Sequence, residues 1–352
     1  RLESAGASLG FGASVHNTSF GGRCLAEDLP LLISTLADCL IQPVFPVDHM
    51  ERLKTQLLTG LAVRAQDTAD MAALEFDTLL FPGHPYGRPE DGYVETVKAI
   101  SQPDLVEFHR ENFGAQNMVI VVVGAVNPLE LFDLVEKHLG GWQKKGQHNL
   151  PQNPPIQPLA GTLTRSLEIP GKSQSDLVMG TLGPKRKAPE YLPTLLGNSI
   201  LGQFGMMGRI GESVREKAGL AYYASTSVNA WIESGSWEVS AGVNPENLDR
   251  AIELVKKELA RFVSEPVSFE ELADNKSNFI GRMPLTLESN SGVANTILNL
   301  ERFDLGLDYL QQYPRRISAI TREDILDTAR KYIDPERLVI VSAGPRKKVK
   351  QK

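Results

Sequence analysis

Ala99-Ile-Ser-Gln-Pro-Asp-Leu105, running on to Met118-Val-Ile-Val-Val-Val-Gly124, recurs as Ala319-Ile-Thr-Arg-Glu-Asp-Ile325 and Leu338-Val-Ile-Val-Ser-Ala-Gly344. Ala99 answers to Ala319 and Gly124 to Gly344, each 220 residues on, so the repeat reads as a duplicated domain. The match continues upstream with a one-residue drift. Leu29, Leu32, Ile33, Leu36 and Leu40 form the apolar stripe of one amphipathic helix, and Leu248, Ile252, Val255 and Leu259 that of its counterpart. By this register Arg1 answers to about residue 220, so residues 161–220 have no partner in the first copy, and the chain is expected to begin inside its first domain.

Two halves follow: 1–142, short of roughly its first 60 residues by the repeat, and 162–345, followed by a basic tail at 346–352 that reads as a solvated end. Between them, 143–161 holds Pro151, Pro154, Pro155 and Pro158 among Asn and Gln, which predicts an extended strap. Ser101 and Thr321 are expected to cap paired short helices, each with an aspartate three residues on. The runs after those helices, Val119–Val123 and Val339–Ser342, are apolar on both faces and read as central strands. In the second half, strands at 166–169, 176–182, 220–228 and 236–242 surround two helices, at 192–201 and 210–217. Strands in neighbouring runs mean α+β: each half a largely antiparallel sheet covered by helices on one face, the two facing across a cleft.

A net charge of −6 offers no surface for nucleic acid. No apolar run approaches the ~20 residues of a membrane-spanning helix. Cys24 and Cys39 suit core packing in a reduced protein, with a cytoplasmic setting favoured and export left open. Val119 to Val126 lacks the second and third glycines of a dinucleotide-binding turn. Gly202, Gly205, Gly208 and Gly211 have no following Gly-Lys-Ser/Thr, so the run reads as a turn between helices and not a phosphate loop. The histidines (His16, His49, His84, His109, His138 and His148) form neither HExxH nor HxxEH and read as ordinary helix or loop residues.

One segment is sharper: Arg209-Ile-Gly-Glu-Ser-Val-Arg-Glu-Lys-Ala-Gly-Leu-Ala-Tyr-Tyr223. Gly219 is expected to end a helix in the left-handed conformation, with Arg215 on the last turns and Tyr222 on the departing strand, where the two can converge. The plainer reading pairs Arg215 with Glu212 or Glu216 and packs Tyr222.

Val214 to Tyr222 resembles the R-E-x-x-G-L-A-Y signature of pitrilysin/insulinase-type zinc metallopeptidases, the inverzincins, in their mitochondrial-processing-peptidase-like branch. Gly6-Ala-Ser-Leu-Gly-Phe-Gly-Ala-Ser14 resembles the family's chamber-lining edge strand, with Leu9, Gly10 and Phe11 against substrate, and Leu80-Phe-Pro-Gly-His-Pro-Tyr-Gly-Arg-Pro89 resembles its loop after the zinc-site helices. The resemblance implies a metallohydrolase clamshell in which an HxxEH helix and a later glutamate hold zinc, while Arg215 and Tyr222 close over an extended peptide. The chain departs from it at the metal: HxxEH is absent, and Leu58, seven residues after Glu51, stands where the third ligand is expected. The resemblance therefore implies a non-catalytic member, holding no zinc and inactive alone, that lends the Arg215/Tyr222 half-site to a zinc-bearing homologous subunit, with self-association as the other partnership expected. Two alternatives stay open: a self-sufficient zinc endopeptidase with its HxxEH upstream of this sequence, and a structural scaffold without proteolytic role.

Overall fold

The computed structural model describes residues 1–116, 118–143 and 152–345, so the basic tail and much of the predicted linker lie outside it. The first part of the chain holds strands β1 (Ser8–Ala13) and β2 (Thr18–Arg23) and helices α1 (Leu29–Ile41), α2 (Val47–Arg64), α3 (Thr68–Leu80), α4 (Val94–Ala99), α5 (Gln102–Asn112) and α6 (Pro128–Leu139). Beyond the linker come β3 (Leu163–Glu168), β4 (Ser175–Gly183), α7 (Tyr191–Gly202), α8 (Phe204–Ile210), a π-helical turn over Gly211–Lys217, β5 (Ala221–Ala230) and β6 (Gly235–Val243). The chain continues through α9 (Leu248–Ser264), α10 (Phe269–Arg282), α11 (Asn290–Arg302), α12 (Tyr309–Ala319) and α13 (Arg322–Tyr332) into β7 (Val339–Gly344).

The chain divides into two compact units that cut across the sequence halves. One comprises Arg1–Ala62, Pro89–Asn153 and Ser289–Leu298; the other comprises Val63–Arg88, Pro154–Glu288 and the chain from Asn299 onward. The second unit therefore includes α3, and the first includes most of α11.

The second unit is built on a sheet of order β3-β7-β4-β6-β5, parallel between β3 and β7 and antiparallel elsewhere. Side chains alternate across a strand. Leu177, Met179, Trp237, Val239 and Ile340 accordingly face Leu196 and Ile200 of α7, Val255, Leu259 and Phe262 of α9, and Ile325 of α13. This is the helix-covered antiparallel sheet expected from the sequence. Its opposite face carries α3: Ala72, Phe76 and Leu80, four residues apart and hence in one stripe, pack on Val178, Val339, Val341 and Ala343. In the described part of the linker, Ile156 and Leu159 pack against the same cluster.

In the first unit β1 and β2 form a two-stranded antiparallel ribbon. Leu36, Ala37 and Leu40 of α1 meet Leu139 of α6, with Leu9, Phe20, Ile120 and Trp142 packed around them. Cys39 is exposed, correcting its expected place in the core, because the buried stripe of α1 runs through Leu32, Ile33, Leu36, Ala37 and Leu40 and leaves Cys39 outside. Cys24 is half-buried, and burial, then the charge of Asp28, raise its thiol pKa.

Element order repeats between the halves. A hairpin leads into a long helix in β1–β2–α1 and in β5–β6–α9, and α5 and α13 stand 220 residues apart at both ends. Thr321 caps α13 reciprocally: the Asp324 N–H donates to its hydroxyl at 3.0 Å while its own N–H donates to the Asp324 carboxylate at 2.7 Å. At α5 the Ser101 N–H and hydroxyl both donate to Asp104, at 2.8 and 2.6 Å. The strand expected at Val119–Val123 is not one. The segment pairs with no strand among the described residues, whereas its counterpart β7 lies between β3 and β4. Those two neighbours come from 163–183, a stretch without a counterpart in residues 1–62.

Candidate functional site

The residues singled out in Val214–Tyr222 lie around one chain reversal in the second unit. The π-helical turn ends with the Gly219 N–H donating to the Arg215 carbonyl and the Leu220 N–H to the Val214 carbonyl, both at 3.0 Å. Gly219 has φ +63°, the left-handed value that relieves a glycine of Cβ strain and turns the chain into β5. Helical segments of π type cluster at functional sites because they shift side chains out of the α register. Here the shift falls on Arg215.

Arg215 donates from Nη1 towards the sulfur of Met207 at 3.8 Å, and its Nε lies 3.5 Å from a carboxylate oxygen of Glu216. The Met207 sulfur also accepts from the Ala224 backbone N–H at 3.4 Å, so one thioether ties the arginine to the outer edge of β5. Gln203 donates to the Thr226 carbonyl at 3.0 Å on the same strand, blunting an edge that is otherwise open to pairing. The expected pairing of Arg215 with Glu216 is thus present, but the packing of Tyr222 is not. A bulge between Ala221 and Tyr223 leaves Tyr222 out of register with β6, and 81% of it is exposed.

Tyr223, which the sequence reading passed over, turns the other way. Its hydroxyl donates to Asp176 Oδ1 at 2.8 Å, Gln174 donates to the same oxygen at 3.0 Å, and the Thr68 hydroxyl of α3 donates to Oδ2. Burial and the bond to Asp176 push the Tyr223 phenol pKa well up, so it stays protonated as a donor. The tyrosine doublet after Gly-Leu-Ala was the available signal, since adjacent strand residues normally take opposite faces.

The glycine-rich run is helix α8 instead of a plain turn, anchored from below. Arg209 is buried and meets Glu271 of α10 with two bonds, Nε to Oε1 and Nη2 to Oε2, both 2.7 Å. Burial alone would raise the Glu271 carboxyl, but the bonds from Arg209 and the Ser268 backbone hold it at about 2. Gly208 has φ +60°, and a Cβ there would lie 2.5 Å from the Ile200 carbonyl oxygen, so α8 can approach α7 only through a glycine.

Leu9, Gly10, Phe11 and Leu58 belong to the other unit. Leu9 packs into its core, while Gly10 and Phe11 are exposed on β1, whose outer edge pairs with no strand among the described residues. Leu58, half-buried on α2, brings no donor atom to the expected ligand position. The histidines do not replace it. His84 is buried, accepts from the Tyr86 N–H at 3.1 Å and faces Glu233 at 3.4 Å, inside an aromatic cluster with Phe81, Tyr86 and Trp231. His109 donates from Nε2 to the Leu40 carbonyl at 2.7 Å. Among the described residues no three His, Cys, Asp or Glu side chains come together as a metal site, and the donor set present does not fit catalytic zinc, which takes three protein ligands.

The model of the peptidase M16 inactive domain matches residues 99–279, more than half of the chain. An uncharacterized zinc protease of Mycobacterium leprae is 25% identical over 290 residues, covering 82% of this chain but only 65% of its own length. The probable mitochondrial-processing peptidase subunit beta of Schizosaccharomyces pombe is 23% identical over 367 residues, covering 97% of this chain and 77% of that protein. The crystal structure of a peptidase M16 inactive domain from Pseudomonas fluorescens superposes with a TM-score of 0.90 at 26% identity, over 100% of this chain and 84% of that one. The chain therefore belongs to the peptidase M16 inactive-domain family, the pitrilysin-type group that its Val214–Tyr222 signature resembles.

Proposed function

We propose that this chain is the non-catalytic subunit of a two-component peptidase, lending Arg215 and Tyr222 to peptide bound at a zinc-bearing homologous subunit. The observation that carries the reading is Tyr222: a bulge in β5 holds a bulky phenol out in solvent, where folding alone gives it nothing to do. In the assembled enzyme its hydroxyl would donate to the oxyanion that forms on the scissile carbonyl. Arg215 would hold the peptide backbone or a carboxylate beside it. The exposed Leu9–Phe11 strand is the proposed seat for extended substrate, because an open strand edge supplies backbone donors and acceptors in register. A relative named as a subunit of a processing peptidase supports the two-component reading.

The test is peptide hydrolysis by this chain mixed with its zinc-bearing homologue. Tyr222→Phe should lower the rate by about 10²–10³, the usual effect of losing one oxyanion donor, with assembly unchanged by size-exclusion chromatography. Equal rates with and without the hydroxyl would refute the half-site. The isolated chain should hydrolyse nothing and hold no stoichiometric zinc by metal analysis; one tightly held zinc per chain would revive a self-sufficient enzyme.

A further inference from the structure

Other elements of the second unit, the loop from β4 to α7, helix α12 and the start of α13, line an open pocket of about 370 Å³. Its chemistry is set by Arg186. The guanidinium carbon lies 4.1 Å from the centre of the Tyr191 ring, 5.3 Å from that of Phe303 and 6.0 Å from that of Tyr309. Rings bind the flat faces of such a cation and leave its in-plane N–H groups pointing outward. Among the described residues no oxygen accepts a bond from this guanidinium.

Arg316 repeats the pattern on the same pocket. It stacks on Tyr309 at 5.1 Å and donates from Nε and Nη2 only to the neutral amide oxygen of Gln312, at 3.1 and 2.6 Å. Of the other charges on the lining, Lys187 pairs with Asp304, and Asp324 keeps its charge while accepting the Thr321 N–H that caps α13. Two planar cations, neither paired with a carboxylate, thus share one concave site whose only acidic lining residue is Asp324, and each is pre-oriented by stacking, which lowers the entropic cost of forming a bidentate bond. Leu192, Leu305 and Ile320 complete the walls. A bare inorganic anion would leave these apolar walls unfilled; a ligand with an apolar body would cover them.

We propose that this pocket binds a carboxylate carried on an apolar body, in the form of a peptide C-terminus whose last residue is hydrophobic. The site shares no residue with the Arg215 turn, so the proposal stands or falls apart from the half-site.

The test uses the full chain and two probes: acetyl-Gly-Ala-Leu-Phe with a free C-terminal carboxylate, and the same peptide as its amide. In calorimetric titration the acid should saturate one site and the amide bind about tenfold or more weaker, the expected loss for charge-assisted bonds. Arg316→Gln removes one guanidinium while keeping all three rings around Arg186, and should weaken the acid about tenfold while leaving the amide unchanged. Arg186→Lys keeps the charge but not the fork, and should weaken the acid similarly. Thermal unfolding checks that both variants are folded; should Arg186→Lys fail to fold, Arg316→Gln decides alone. Equal binding of acid and amide, no saturation at millimolar peptide, indifference to Arg316→Gln, or tighter binding of inorganic phosphate than of the peptide acid would each overturn the proposal.

Discussion

Val119–Val123 and Val339–Ser342 carry closely similar sequence, follow equivalent helices and meet different fates. Val339 is 0% exposed on an inner strand of a five-stranded sheet; Val119 is 39% exposed in a segment without a strand partner among the described residues. The difference teaches that a valine-rich run specifies extended backbone but not membership of a sheet, because half of what defines a strand is supplied by its neighbours. A similar contrast separates two of the helices. α3 has a buried stripe of Thr68, Ala72, Phe76 and Leu80, whereas α11 buries only Leu300.

The largest expected effect tests the strands. Val341→Asp puts a charge into the centre of the sheet and should cost more than about 4 kcal/mol, enough to unfold the second unit. Val119→Asp should cost less than about 1 kcal/mol. Equal losses in chemical denaturation would mean that Val119 is as fully enclosed as its counterpart. Hydrogen exchange followed by mass spectrometry gives a second reading: amides of 339–344 should be slow and those of 119–123 fast.

Next come the helices. Phe76→Ala opens a cavity against Val178, Val339 and Val341 and should cost about 3–5 kcal/mol. On α11, Thr296 bonds only to its own helix, through the Gly292 carbonyl, and Thr296→Ala should change stability by about 0.5 kcal/mol or less. A large loss at Thr296 would break the contrast.

The smallest effect is a pH dependence centred on Asp77 of α3. Burial and then the charge of Glu238 raise the Asp77 carboxyl to about 7, and burial raises Glu238 too, against bonds from Ser236 and Asn229. The folded chain keeps a proton that the unfolded chain releases near pH 4, so this contribution is full below about pH 4 and is lost as pH rises through 7. Glu271 runs the opposite way: its contribution is present above about 4.5 and fades as pH falls through about 2. Denaturant midpoints from pH 4 to 8 should decline in the parent chain and flatten in Asp77→Asn.

What could be read beforehand was whatever local chemistry decides. The strand around 236–242 alternates, Thr321 and Asp324 announce a helix start, and Gly219 with Arg215 and Tyr222 marks the turn at the site. What escaped was decided by partners distant in sequence. Nothing in Thr68–Leu80 says that its stripe covers the sheet of the second unit, nothing near Asp176 names Thr68, and the bulge that exposes Tyr222 is a mismatch of register that a single strand cannot display.

The cross-membership of α3 and α11 also sets an order of events during synthesis. A ribosome releasing this chain from its N-terminus supplies α3 before the sheet it covers, so Phe76 and its neighbours must wait uncovered until β4 and β7 emerge. The first unit, in turn, is unfinished until residues 289–298 have appeared. Neither unit can be completed by a nascent chain that stops at the linker, and separate expression of residues 1–142 and 162–345 would deprive each product of a helix that only the other carries.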